Sequence, residues 1–80
     1  MQTLVKGMVQ VAGTTYRIVR VKRGTYNAVR VLDDTVVGQF TSSPQIEVRP
    51  DGIDAELMLE IARFAIHGAK TSWVGRILLG

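Results

Sequence analysis

Polar and hydrophobic residues alternate along most of the first fifty positions, in runs rich in valine, threonine and tyrosine. Such alternation is typical of half-buried strands, because successive side chains of a strand point to opposite faces of its sheet. The runs predict five strands, at residues 4–11, 15–22, 25–32, 35–41 and 45–49. Turn-forming residues lie between them, including Gly13, Gly24 and the pair Asp33-Asp34.

The period of the pattern becomes helical after Gly52. Asp54 is a suitable N-cap residue, and Gly68 is placed to end a helix with a positive φ angle. Polar residues at helical spacing form one stripe, Glu56, Glu60, Arg63 and His67. The remaining positions are mostly apolar, with Leu57, Met58, Ile61, Ala62, Phe64 and Ala65. We therefore predict one amphipathic helix between Asp54 and Gly68.

Strands that precede a helix and are joined by short turns predict an α+β fold. We expect an antiparallel β-meander of four to five strands, followed by one amphipathic helix that packs on one face of the sheet. The apolar residues 71–80 are candidates for a short C-terminal strand. Eighty residues suffice for one core, so residues 1–80 are expected to form a single small domain.

Composition argues against several classes of function. The chain has no cysteine and a single histidine, His67, so neither thiol chemistry nor a metal site built from His and Cys ligands is expected. No stretch approaches the ~20 apolar residues of a membrane span, and no phosphate-binding loop is present. We expect a soluble cytoplasmic protein that is not an enzyme, needs no cofactor or metal, and does not enter a membrane.

Charge is distributed unevenly along the chain. The first 32 residues carry six lysines and arginines and no acid, whereas the rest carries four bases and seven acids, or 4 − 7 = −3. A segment that is basic throughout creates a one-sided positive field, and such fields attract polyanions. The first three predicted strands are therefore the place to look for a binding surface.

Turn lengths predict which residues share a face of the sheet. A three-residue loop at residues 22–24, with Gly24 at positive φ, sets Tyr26 opposite Arg20. The same register sets Arg30 opposite Tyr16. Valines would gather on the helix-covered face and would be joined across a two-residue Asp33-Asp34 turn by Val36, Gly38 and Phe40. The open face is then predicted to show Tyr16, Arg20, Lys22, Tyr26 and Arg30.

Aromatic rings between cations suit single-stranded RNA or DNA, because bases stack on the rings while cations contact phosphates. On this hypothesis the stacking residues are Tyr16 and Tyr26. The phosphate-contacting residues are Arg17, Arg20, Lys22, Arg23 and Arg30. Two alternatives stay open: a solvated face whose Tyr–Arg pairs only stabilise the sheet, and an interaction module or accessory subunit that binds an acidic protein.

The last ten residues form a second unusual feature, because they are strongly apolar for the end of a small chain. The residues with the largest apolar side chains include Trp73, Val74, Ile77 and Leu78. Either this segment packs back onto the domain, or it forms an interface such as the seam of a homodimer.

The order of strands and helix, together with the basic strands, resembles two families of small single-stranded nucleic-acid binders. These are a family of single-stranded-DNA-binding transcriptional coactivators and the PUR repeat. The likeness covers residues 15–67 and consists of element order and charge placement, without a shared signature motif. It implies a curved sheet and a tendency to dimerise.

Overall fold

The computed structural model describes residues 5–68, which form five strands followed by one helix. The strands are β1 (Met8–Val11), β2 (Thr14–Lys22), β3 (Thr25–Arg30), β4 (Thr35–Thr41) and β5 (Glu47–Pro50), and the helix is α1 (Ala55–His67). All neighbouring strands pair antiparallel in the order β1-β2-β3-β4-β5. The α+β meander with one packed helix is confirmed, while the candidate C-terminal strand lies outside the described residues.

Most strand bounds agree with the predicted ones to within two residues, and the fourth strand agrees at both ends. The largest difference is at the first strand, which begins at Met8 instead of residue 4. The backbone N–H of Lys6 donates to the carbonyl of Ala65, at 2.8 Å. The chain before β1 is therefore attached to the end of the helix.

Both predicted helix caps are confirmed. The Asp54 side chain accepts a hydrogen bond from the backbone N–H of Leu57 at 2.8 Å, which satisfies one of the free donors of the first turn. Gly68 has a φ of 86°, and its N–H donates to the carbonyl of Phe64 at 2.9 Å. The stripe Glu56, Glu60, Arg63 and His67 is exposed.

The core lies between the helix and one face of the sheet. Its buried sheet residues are Val9, Val11, Tyr16, Ile18, Ala28, Val37 and Phe40, and its buried helix residues are Met58, Ile61, Ala62 and Ala65. The helix contacts β1, β4 and β5. Because these strands include both edges of the sheet, the sheet wraps around the helix and buries one face along its whole width.

Tyr16 pairs with Arg30 and Arg20 pairs with Tyr26, as predicted. The predicted three-residue loop is wrong, because Lys22 pairs with Thr25 across a two-residue turn and a register shift between Arg20 and Lys22 restores the predicted pairs. The predicted assignment of the two faces is wrong. Tyr16 is only 3% exposed and lies in the core, whereas Val19 and Val21 are 41% and 50% exposed. The helix therefore covers the face that carries Tyr16, and the open face carries most of the valines.

The β1–β2 hairpin explains the inversion. Its two-residue turn, Ala12-Gly13, pairs Val9 with Tyr16. Val9 and Val11 therefore lie on the same face as Tyr16 and Ile18, and together with Ala28, Val37 and Phe40 they form the larger apolar set. Burial of the larger apolar set selects the face on which the helix packs.

The prediction for β4 is half right. Val36 lies on the open face with the valines, as predicted, but it pairs with Val29 because the turn spans residues 31–34 and not the Asp33-Asp34 pair alone. The register then shifts, so that Gly38 pairs with Ala28 on the core face. Val37 is the extra residue of this β-bulge. Phe40 consequently lies in the core opposite Tyr26, rather than with the valines.

Candidate nucleic-acid interface

The seven predicted binding residues lie on β2, on β3 and in the turn between them, but the structure divides them between the two ends of this hairpin. Tyr16, Arg17 and Arg30 lie near the turn that holds Asp33 and Asp34. Arg20, Lys22, Arg23 and Tyr26 lie at the opposite end, around the β2–β3 turn. Since β3 has six residues, the two ends are roughly 17 Å apart.

At the first end, both arginines form ion pairs. Arg17 Nη2 lies 2.9 Å from Asp34 Oδ1. Arg30 donates to Asp33 twice, from Nε to Oδ1 and from Nη2 to Oδ2, each at 3.1 Å. These hydrogen bonds from Arg30 lower the pKa of Asp33, and Asp33 in turn raises the pKa of Arg30. The positive charge of these two arginines is thus largely balanced within the domain.

At the second end, Arg20, Lys22 and Arg23 are exposed and form no ion pair with any of residues 5–68. All seven acidic side chains of the protein belong to that range. Glu47 is the carboxylate at the same end of the sheet, three strands from Lys22 and hence roughly 14 Å away. That separation exceeds the ~8 Å screening length of physiological salt, so the three charges remain uncompensated.

The two tyrosines differ in exposure. Tyr16 is buried, so its ring has no face free to stack on a base, and the prediction that it lies on an open face is corrected. Tyr26 is half-buried and packs against the core. Its ring stacks on Phe40 with centroids 5.4 Å apart and planes inclined by 22°. On the side away from Phe40, Tyr26 is paired with Arg20 of β2.

We call Arg20, Lys22, Arg23 and Tyr26 the hairpin cluster. The sequence brings them together because Gly24 adopts a φ of 75°, which allows the chain to reverse immediately after Arg23. Lys22 then pairs with Thr25, so it lies on the opposite face of the sheet from Arg20 and Tyr26, and the same-face prediction for Lys22 is wrong. Three cations therefore lie within a few residues of one partly exposed ring.

Three polar residues of the open face were not among the predicted site residues. Gln39 Nε2 donates to Asn27 Oδ1 at 3.1 Å in a partly buried contact between β3 and β4. Arg49 pairs with Gln39 on β5 and is exposed. Because successive residues of a strand point to opposite faces, Arg49 and Val48 lie on different faces of the sheet. The face of Arg49 could therefore have been predicted from the sequence.

Other predicted features give no additional site within the described range. No group of three or more potential metal ligands occurs among residues 5–68. In the same range, no helix is long and apolar enough to cross a membrane. The predicted interface residues Trp73, Val74, Ile77 and Leu78 lie outside the described residues.

Comparisons with known proteins found no matching family model, no matching curated protein and no matching solved structure. Function is therefore inferred from the chain's own residues. The hairpin cluster is the described surface on which uncompensated cations and an aromatic ring coincide.

Proposed function

We propose that this protein is a small non-enzymatic domain that binds single-stranded nucleic acid, RNA or DNA, through the hairpin cluster. One observation carries the proposal: Arg20, Lys22 and Arg23 are exposed around one turn, Arg20 is paired with Tyr26, and none of the three cations has a carboxylate partner within residues 5–68. Cations without internal partners are available to phosphates. A neighbouring ring adds a stacking surface for one base.

Arg17 and Arg30 have a smaller part in this proposal than in the sequence-based hypothesis. Each would have to exchange a carboxylate for a phosphate, so contact with nucleic acid would gain little electrostatic energy. Three phosphate contacts remain in place of five. For a single strand, the logarithm of affinity should then fall with the logarithm of salt concentration with a slope of about −2 rather than −3.5.

A single strand is favoured over duplex DNA for a reason of shape and charge. Reading a duplex usually requires a basic helix or ribbon in the major groove. The exposed stripe of α1 begins with Glu56 and Glu60, so this helix would be repelled by phosphates. Unpaired bases can instead approach Tyr26, the partly exposed ring paired with Arg20, where stacking is worth ~1–3 kcal/mol per base.

The proposal is tested by fluorescence anisotropy with a labelled single-stranded oligomer and an abasic oligomer of the same length. The normal protein should bind the oligomer that carries bases more tightly. Tyr26→Leu keeps an apolar side chain against Phe40 and should weaken binding roughly tenfold while leaving abasic binding unchanged. Failure of the normal protein to bind either oligomer at low salt would refute the proposal.

A second candidate is an interaction module that binds an acidic protein. It is favoured by the exposed valines Val19, Val21 and Val36 of the sheet and Val31 of the turn after β3, because a nucleic acid offers little apolar surface to cover them. Polyglutamate is a suitable probe. If it binds as tightly as the oligonucleotide at equal ionic strength, and if Tyr26→Leu weakens neither, this candidate is preferred.

A further inference from the structure

The two edge strands of the sheet differ in how they resist pairing with another chain. β5 carries Glu47 and Arg49 and ends at Pro50, and charges and proline are common means of blocking an edge. β1 has the sequence Met-Val-Gln-Val, without charge, proline or bulge. An unprotected edge of this kind is a template for another strand.

The pairing of β1 with β2 identifies which backbone groups point outward. Ile18 donates its N–H to the carbonyl of Gly7 at 2.9 Å, so Gly7 and Ile18 are a hydrogen-bonded pair. Hydrogen-bonded and non-hydrogen-bonded pairs alternate along an antiparallel ladder. Val9 therefore bonds inward to Tyr16, whereas the N–H and C=O groups of Met8 and Gln10 point away from the sheet. None of residues 5–68 pairs with that side.

We infer that β1 pairs antiparallel with β1 of a second copy of this chain, about a twofold axis at Val9. Met8 of each copy would lie opposite Gln10 of the other, and both would use their outward N–H and C=O groups. This register forms two hydrogen-bonded pairs and joins the two sheets into one of ten strands. The inference does not rest on the proposed function.

The side chains of β1 are compatible with a second copy of the chain at this edge. A twofold axis at Val9 brings no like charges together, since Lys6 is the nearest charged residue and would lie opposite Ala12 of the other copy. Met8, which is 57% exposed, would be covered by the partner's Gln10. The hairpin cluster lies on β2 and β3, so the joined edges leave it free.

Two double variants test the register. In M8K/Q10K, each lysine at position 8 faces a lysine at position 10 of the other copy, and like charges directly opposite are destabilising. In M8K/Q10E, each lysine faces a glutamate, so the same two positions become attractive. Both residues are exposed, so neither change should affect the fold of one copy.

Sedimentation equilibrium of the full 80-residue chain over a range of concentrations measures the result. The normal protein and M8K/Q10E should form dimers, whereas M8K/Q10K should associate at least about tenfold more weakly. Circular dichroism checks that each variant is folded. A normal protein that stays monomeric at every concentration would overturn the inference. That result would hold equally if the chain's own terminal residues cover this edge or if the edge stays uncovered. Equal dimerisation of the two variants would overturn the register.

Discussion

Met58 of α1 lies directly over Gly38 of β4, so close that a Cβ atom at Gly38 would overlap the Met58 sulfur. The same Cβ would lie 2.9 Å from the carbonyl oxygen of Arg49 on β5. Gly38 follows the β-bulge at Val37, which turns it toward the core. The bulge and the glycine together allow the helix to approach the sheet and bury Met58 completely.

Replacing Gly38 with alanine should therefore destabilise the domain by about 1–3 kcal/mol, because the helix or β5 must move to admit one methyl group. The free energy of unfolding in urea measures this. Gly7→Ala is the matched control, because no atom lies within 4 Å of the added Cβ. It should change stability by no more than about 0.5 kcal/mol. Equal effects of the two substitutions would show that Met58 does not pack on Gly38.

The inverted sheet faces predict unequal effects of substitutions on the two faces of β2. Tyr16→Ala removes a fully packed ring and should cost about 3–5 kcal/mol, whereas Val19→Thr on the open face should stay within about 0.5 kcal/mol. Urea unfolding again gives both values. If Val19→Thr were the more damaging change, the helix would have to lie on the other face.

Local signals in the sequence were sufficient to predict every helix and strand between residues 5 and 68. Asp54 and Gly68 define a helix through hydrogen bonds within a few residues, and Gly24 marks the turn between β2 and β3. The choice of face depends on more distant residues. Each face of β2 carries two large apolar residues and at least one arginine, and the pairing of Val9 with Tyr16 favours one of these faces.

The sequence could predict which types of residue bind a polyanion, but not which of them form ion pairs within the domain. Arg30 and Asp33 are three positions apart, so their ion pair follows from spacing across a turn. Arg17 and Asp34 are 17 positions apart, and their pair follows only from the folded register. Sequence charge alone therefore overestimates the number of arginines available to a polyanion.

The Arg30–Asp33 pair predicts a dependence of stability on pH. Hydrogen bonds from Arg30 lower the pKa of Asp33, so the ionised carboxylate stabilises the folded state above the ordinary aspartate pKa of about 4. That contribution is lost as the pH falls through the lowered pKa of the folded protein. The difference in unfolding free energy between the normal protein and Asp33→Asn should therefore shrink below about pH 4. A difference that stays constant from pH 6 to strongly acidic solution would argue against the pair.

The helix N-cap gives a separate prediction of stability. Asp54→Ala removes the acceptor for the N–H of Leu57 and should cost about 0.5–2 kcal/mol, whereas Asp54→Ser supplies another acceptor and should restore most of the loss. Thermal unfolding followed by circular dichroism compares the two variants. If serine and alanine are equally destabilising, the cap hydrogen bond contributes nothing.

The measurement that tests the central claim most directly is the salt dependence of oligonucleotide binding by two matched double variants. R20Q/R23Q and R17Q/R30Q each remove two arginines, but only the first pair belongs to the hairpin cluster. R20Q/R23Q should make the log–log slope less negative by about 1.4 and weaken binding at physiological salt. R17Q/R30Q should leave the slope almost unchanged. Equal changes of slope in the two variants would contradict the hairpin cluster as the binding site.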